Sequence, residues 1–578
     1  MTQPPLPPNQ PPPGGGFGMP LDPPPGFGAP QEPPAGFGAP QPPPPGGFGA
    51  PAGGPGQGPG YGYPRQQPPY LPYGHPTQPV PQPVPQPGTG GPRGGGKPGR
   101  TRTRIVIAAA VAVALIIGGG ILFASAGDGG GGRENESSSA AGEGGGAGEA
   151  AGRTAPDGPG KEKVPADTAS RLAFQHPEPA IDDITNVRGS WTTGKAFVKP
   201  GVDSVVGYDP DDGDTLWKLK LPGQVCASSR HQSSDDKVAI VFEAAKRVAP
   251  RYFQPCTEVG VVDLGSGKLL WRTSVKSALG GDGKVTFAEV TQSGSTVAAG
   301  GLKGGAAFDL NSGEVRWKPT VRSDDCYDSG YAGGPALVAV RRCGAVGSPR
   351  VSVQAIDPKS GAPRFSYRLP DTVEYASVVS TEPLVVAADV GDTAGVAGFS
   401  DLFSLDGEGK LRARIPATGD TYQAKCRMTE VESCRKIAVG NGRVYLPTAE
   451  RESSSGFKDT NEIVSFDLAT GKPTRDRADA GPRHTLLPLR MDGGDLIAYK
   501  TPAYDTGGQV ISIDGGTFRQ TVLMRNPDAE AAREAERGFS MDGDEIRYDR
   551  GRLYLSASLI SKETYVDRRL VVAFSTAD

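Results

Sequence analysis

One motif returns through the C-terminal part of this chain and limits what it can fold into. The segments VVGYDPDDGDTLW, GVVDLGSGKLLW, AAFDLNSGEVRW and QAIDPKSGAPRF share a register. Asp209, Asp263, Asp309 and Asp357 are each followed four residues on by Gly213, Gly267, Gly313 and Gly361. Eight residues after each Asp stands an aromatic: Trp217, Trp271, Trp317 and Phe365. Weaker copies surround Asp406, Asp467 and Asp514, and a truncated one, VVAFSTAD, ends the chain. The residue before each Asp is apolar, which marks a strand with a buried face. Asp then opens a turn by bonding its own backbone, and Gly supplies the positive φ that closes the hairpin. The aromatic on the next strand is a large apolar body suited to packing between neighbouring sheets.

A second apolar strand precedes each copy: Ala196-Phe197-Val198, Val238-Ala239-Ile240, Val297-Ala298-Ala299, Leu337-Val338-Ala339, Leu384-Val385-Val386, Val444-Tyr445-Leu446, Leu496-Ile497-Ala498 and Leu553-Tyr554-Leu555. Repeats of roughly fifty residues with three or four short strands are propeller blades, so an all-β propeller is expected. These residues resemble the pyrroloquinoline quinone (PQQ)-type propeller repeat, in which a strand leads into apolar-Asp-x-x-x-Gly-Lys-x-x-Trp; Lys268 and Lys472 also match its lysine. The resemblance runs over roughly 187–578; eight upstream strands matching eight Asp-type copies give eight blades, with seven as the alternative. The last copy stops before its aromatic strand. The outer strand of the closing blade is therefore expected from residues near 171–190, a closure that removes two free sheet edges.

The six cysteines, Cys226, Cys256, Cys326, Cys343, Cys426 and Cys434, group two by two within repeat units. An even count in an extracytoplasmic domain reads as disulfides, here in the three local pairings; a metal site is the alternative, against which stand the lack of C-x-x-C and of clustered histidines.

Ahead of the repeats the composition changes. Residues 1–100 hold most of the 58 prolines and many of the 85 glycines, with a loose Gly-Phe-Gly-x-Pro repeat. Such a segment cannot offset the entropy of ordering, and a disordered tail is expected. Residues 105–126, IVIAAAVAVALIIGGGILFASA, form an uncharged run. A helix of that length spans about 33 Å, enough for a bilayer core of about 30 Å. Arg93, Lys97, Arg100, Arg102 and Arg104 precede it, and Asp128, Glu134 and Glu136 follow. The positive-inside rule then puts the tail in the cytoplasm and the propeller, 171–578, outside a cell membrane that the chain crosses once. A cleaved signal peptide is the competing reading, since Ala124-Ser125-Ala126 has the form of a cleavage site. Residues 127–170, rich in Gly, Ala and Glu, read as a flexible linker.

The PQQ-type resemblance raises the question of a quinoprotein dehydrogenase. Such enzymes use an adjacent Cys-Cys disulfide against the quinone, a calcium site and a catalytic Asp. This chain has no adjacent cysteines, and no position matches the calcium ligands or the base. Asp209–Asp214 does not follow the order of a calcium loop, and no nucleophile elbow, phosphate loop or H-E-x-x-H occurs. No enzyme activity, no cofactor and no metal are therefore expected. The net charge of −3 gives no reason to expect nucleic acid. The repeat type is also similar to non-enzymatic propellers, the lipoprotein of outer-membrane assembly and sensor domains outside bacterial Ser/Thr kinases, although this chain has neither a lipobox cysteine nor room for a kinase. That similarity implies a binding scaffold or sensor for proteins or cell-envelope components. Alternatives are a quinoprotein-type dehydrogenase and a structural envelope component clustered through its tail. Two insertions, 451–459 and 528–537, are candidate partner-facing parts.

Overall fold

Each repeat folds as its turn chemistry dictates. In the computed structural model the amide of Gly313 donates to Asp309 O at 2.9 Å, and Asp309 Oδ1 accepts from the amides of Asn311 and Ser312. Asp357 and Asp467 repeat the arrangement with Gly361 and Gly471. The glycines adopt the left-handed conformation the hairpin needs, φ 76° at Gly313 and 70° at Gly361. The seventh copy carries Phe518 in that place, at φ 59°.

The structure describes residues 160–576 except 251, 277–282, 302–303, 319–324, 346, 428, 453–457 and 563–567. The expected tail, the expected span 105–126 and the linker up to 159 lie outside the described residues. Among the described residues no helix is long and apolar enough to cross a membrane.

The strands form eight four-stranded antiparallel sheets. Seven follow sequence order: blade 1 is Trp191–Lys220, blade 2 Val225–Thr273, blade 3 Glu289–Trp317, blade 4 Cys326–Arg368, blade 5 Ala376–Pro416, blade 6 Ala438–Asp479 and blade 7 Leu486–Arg525. Blade 8 takes three strands from Glu545–Ser575 and its outer strand, Arg171–Pro177, from the beginning of the propeller. The count is eight rather than seven, and the closing strand comes from the expected region, with Phe174 opposite Ala573.

Burial follows the position of a strand in its blade. The two middle strands of blade 1, Phe197–Gly201 and Ser204–Tyr208, are buried throughout because neighbouring blades cover both faces. The outer strands, such as Lys268–Thr273, alternate exposed and half-buried residues. Glycine and aromatic interlock from blade to blade. A Cβ on Gly267 would lie 2.3 Å from the Trp217 ring, one on Gly313 2.6 Å from Trp271, and one on Gly361 2.9 Å from Trp317. At the closure Phe174 takes the tryptophan's place, with a Gly213 Cβ falling 2.4 Å from its ring. His176 stacks on Tyr208 at 4.5 Å, and Phe197 of blade 1 stacks on Tyr554 of blade 8 at 4.3 Å.

All three local disulfides form, with no free cysteine. Cys226–Cys256 ties the first strand of blade 2 to its third, and Cys326–Cys343 joins directly paired residues in blade 4. Cys426–Cys434 closes a loop between blades 5 and 6.

Candidate functional site in the axial funnel

Antiparallel order fixes what each face of the ring carries. Turns between first and second strands and between third and fourth strands share one face and are short, the longer connection 229–236 of blade 2 excepted. The other two classes of connection share the opposite face and include the long ones, such as 244–255, 389–400 and 417–437. The first described residues lie on the tight-turn face. There the amide of Glu162 donates to Asp492 and its carboxylate pairs with Arg490. Residues 168–170 then bond to Arg525.

The first strands of the blades surround a funnel of about 1320 Å³ open at the tight-turn face. Its floor is the disulfide-closed loop Cys426–Cys434, which enters from the long-loop side and bonds to most of the ring. The amide of Val431 donates to Glu289 of blade 3 at 2.8 Å, and Val431 O accepts from Val378 of blade 5 at 2.7 Å. Glu432 meets His231 of blade 2 at 2.6 Å and accepts from Gly333 beside blade 4. Glu430 pairs with Arg188 and Arg427 at 3.1 Å. Arg435 donates to Gly543 O and Asp544 O next to blade 8, at 2.8 and 2.6 Å.

The ionisable groups here are perturbed by what surrounds them. Burial pushes the Glu289 carboxyl up to about 8, so it is protonated at neutral pH. Burial also opposes charge on Glu432, but the hydrogen bond and attraction from His231, with Arg230 and Thr291 beside them, together outweigh this and hold its carboxyl below the usual range. Glu545 is buried too, yet Lys199, Arg547 and Arg435 pull its carboxyl down to about 2. Lys199 lies 3.5 Å from Glu545 and is fully buried; desolvation lowers its ammonium from the ordinary value despite that partner.

Of the sequence-marked residues, Cys426 and Cys434 alone reach this funnel site, where their bridge closes the floor loop. The repeat Asp, Gly and aromatic residues sit in the outer halves of their blades and build the turns and blade contacts. The disulfide cysteines are structural. Cys226 and Cys256 do lie near Glu243 in a group of metal-ligand type, but their sulfurs are bonded to each other, and Glu243 is engaged by Arg247. The insertion 451–459 begins a short hairpin, Arg451–Glu452 against Lys458–Thr460, whose tip lies outside the described residues. The other insertion is a helix, Glu530–Arg537, docked by buried Glu536, which accepts from Tyr499 Oη at 2.6 Å and from the amide of Gly508. The floor loop and the arginines above it escaped the repeat reading. Their only signals were the long interval between Asp406 and Asp467 and the close spacing of Cys426 and Cys434.

The residues present do not fit a quinone of the PQQ type. The three disulfides join residues 30, 17 and 8 apart, so no adjacent pair offers a face for a ring. The floor loop fills the axis, and the carboxylates Glu430, Glu432 and Glu545 are already engaged by protein cations and amides.

Residues 255–517 match the family model described as outer membrane protein assembly factor BamB. No curated protein matches the chain. Among solved structures, BamB from Moraxella catarrhalis is 12% identical, covering 70% of this chain and 99% of its own, with a TM-score of 0.36. A europium-containing methanol dehydrogenase is 11% identical over 73% of this chain and 96% of its own, at 0.41. Sqt1 of Saccharomyces cerevisiae is 10% identical over 71% and 100%, at 0.39. With the Asp-x-x-x-Gly turns, the interlocked aromatics and the eight closed blades on one chain, this is a protein of the PQQ-type repeat β-propeller kind.

Proposed function

We propose that this chain is a membrane-tethered, extracytoplasmic binding scaffold or sensor, without enzymatic activity, that engages a protein or cell-envelope component through the long-loop face of its propeller. The observation that carries this reading is the set of large apolar side chains exposed on that face. Tyr504 is 83% exposed, Phe253 72% and Val248 61%, all in connections between second and third strands. Isolated exposed hydrophobes are ordinary, but aromatics on loops held by a rigid ring are the composition of protein-binding surfaces. The first described residues meet the ring at the opposite face, where Glu162 pairs with Arg490. The family match to an assembly factor and the charge asymmetry around 105–126 support the same reading.

The test is photo-cross-linking in whole cells, with the reactive group placed in the full chain at Tyr504, at Phe253 and, as a control, at exposed Leu216 on an outer strand. Discrete adducts from the two loop positions and none from the control are expected. Adducts that are the same from all three positions, or none from the loops, would overturn the proposal.

A further inference from the structure

Positive charge is in surplus at the base of the funnel beside blade 8. Arg547 lies on the first strand of that blade, Arg230 follows the first strand of blade 2, and Arg435 follows the floor loop; all three line the cavity. Arg547 donates through Nε to Ser190 Oγ at 2.7 Å, and its two terminal nitrogens have no hydrogen-bond partner among the described residues. Arg230 spends Nη1 on Cys434 O at 2.9 Å, and Arg435 is bound to two backbone carbonyls. None of the three has an ion pair within 4 Å among the described residues.

The nearby carboxylates are committed elsewhere. Glu545 pairs with buried Lys199 and accepts from the Gly189 amide, and Glu432 is held by His231. Asp544 accepts from the amides of Ser558 and Ser540. Two guanidiniums and an ammonium, Arg435, Arg547 and Lys199, thus act on the buried carboxylate Glu545, and Arg230, near Glu432, adds a further positive charge beside Arg435 and Arg547. Uncompensated charge at a partly desolvated site is costly, and guanidinium forks suit planar oxyanions.

The geometry points to an anion-binding pocket at the base of the funnel, in which Arg230, Arg435 and Arg547 receive a carboxylate or phosphate group that enters from the tight-turn face. The ligand is a small oxyanion, or an anionic group at the end of a chain narrow enough to enter a blind funnel. A fork-on-oxyanion contact from Arg547 uses the donors the protein leaves unpaired, and the second and third arginines fix the group against the floor loop. The site opens towards the tight-turn face, away from the exposed aromatics of the long loops, so it is separate from the partner surface proposed above.

Calorimetric titration of the full chain in detergent tests this, with inorganic phosphate in one arm and citrate in the other, at constant ionic strength set with sodium chloride. Saturable binding at one site per chain in either arm is expected, and the arm that saturates identifies phosphate or carboxylate as the group. R547Q and R230Q should each weaken binding at least tenfold, while R547K, keeping charge but not the fork, should fall between. If R547Q does not fold, R230Q carries the comparison. Titrations without saturation in both arms, or folded R547Q and R230Q chains binding as the wild type does, would overturn the pocket. Loop-face adducts that survive in R230Q while anion binding is lost would assign the two sites separate roles, as inferred.

Discussion

Glycine four residues after the repeat Asp meets two demands, a left-handed backbone and contact with the preceding blade's aromatic. Gly313 has φ 76°, and a Cβ there would sit 2.6 Å from Trp271. Replacing it with alanine incurs the left-handed penalty of about 1–2 kcal/mol, and the displaced indole adds to it. G313A should therefore lose more than about 2 kcal/mol in urea unfolding. Phe518 meets the same demands differently. It accepts φ 59° because its ring is buried against Tyr445, with centroids 5.9 Å apart, and lies beneath the Arg443 guanidinium. F518G relaxes the backbone by about 1 kcal/mol but deletes a buried ring whose removal costs about 3–5 kcal/mol, so it too should destabilise, by roughly 2–4 kcal/mol. A stabilised F518G chain would show that strain outweighs packing there. Glu289 makes a prediction in pH. Its folded carboxyl titrates at about 8, above its ordinary value of 4.5, so the folded state binds more protons between those values. Its contribution is complete at acid pH and is lost as pH rises towards 8. E289Q should flatten the fall in melting temperature between pH 5 and 8.5 and should be the more stable chain at the alkaline end, as a melting series would show.

The strand that closes the ring shows why one residue can matter to a whole element. Arg171–Pro177 is the outer strand of blade 8, and its packing is concentrated in Phe174, which sits against Gly213 and near Tyr554. F174A should cost about 3–5 kcal/mol and speed hydrogen exchange in Arg569–Ser575 more than in the middle strands of blade 4. Uniform exchange throughout would mean that the ring opens elsewhere. Legibility in the sequence also divides by element. Second, third and fourth strands could be read, because blade stacking makes the middle strands continuous apolar runs and the turn needs Asp and Gly. First strands could not. Glu545–Asp549 and Val225–Ser228 face the funnel on one side, so residues such as Arg547 and Ser228 interrupt the apolar pattern. The candidate site is built from those strands and from a loop outside the repeat, and no local pattern announces a charge cluster assembled from blades 2 and 8.

At the scale of the molecule, the ring and its cross-links bear on where the domain resides. Each disulfide lies within one connected stretch of chain, so the three brace the first strand of blade 2, a hairpin of blade 4 and the funnel floor rather than the ring's closure. The floor loop has little core of its own and depends on Cys426–Cys434 and its bonds to surrounding blades. In a reducing compartment all three bridges would be open, because cytosolic thiols are kept reduced, whereas an extracytoplasmic domain keeps them closed. Every one of the six cysteines is paired, so the placement has a sharp chemical signature. Chain taken directly from cells into denaturant with a thiol-alkylating reagent should gain no adducts by mass spectrometry. The same chain should gain six after reduction. Six adducts without reduction would place the propeller in the cytoplasm and reverse the orientation argued from the arginines before Ile105. Two adducts confined to Cys426 and Cys434 would instead single out the funnel floor as the bridge that the cell opens.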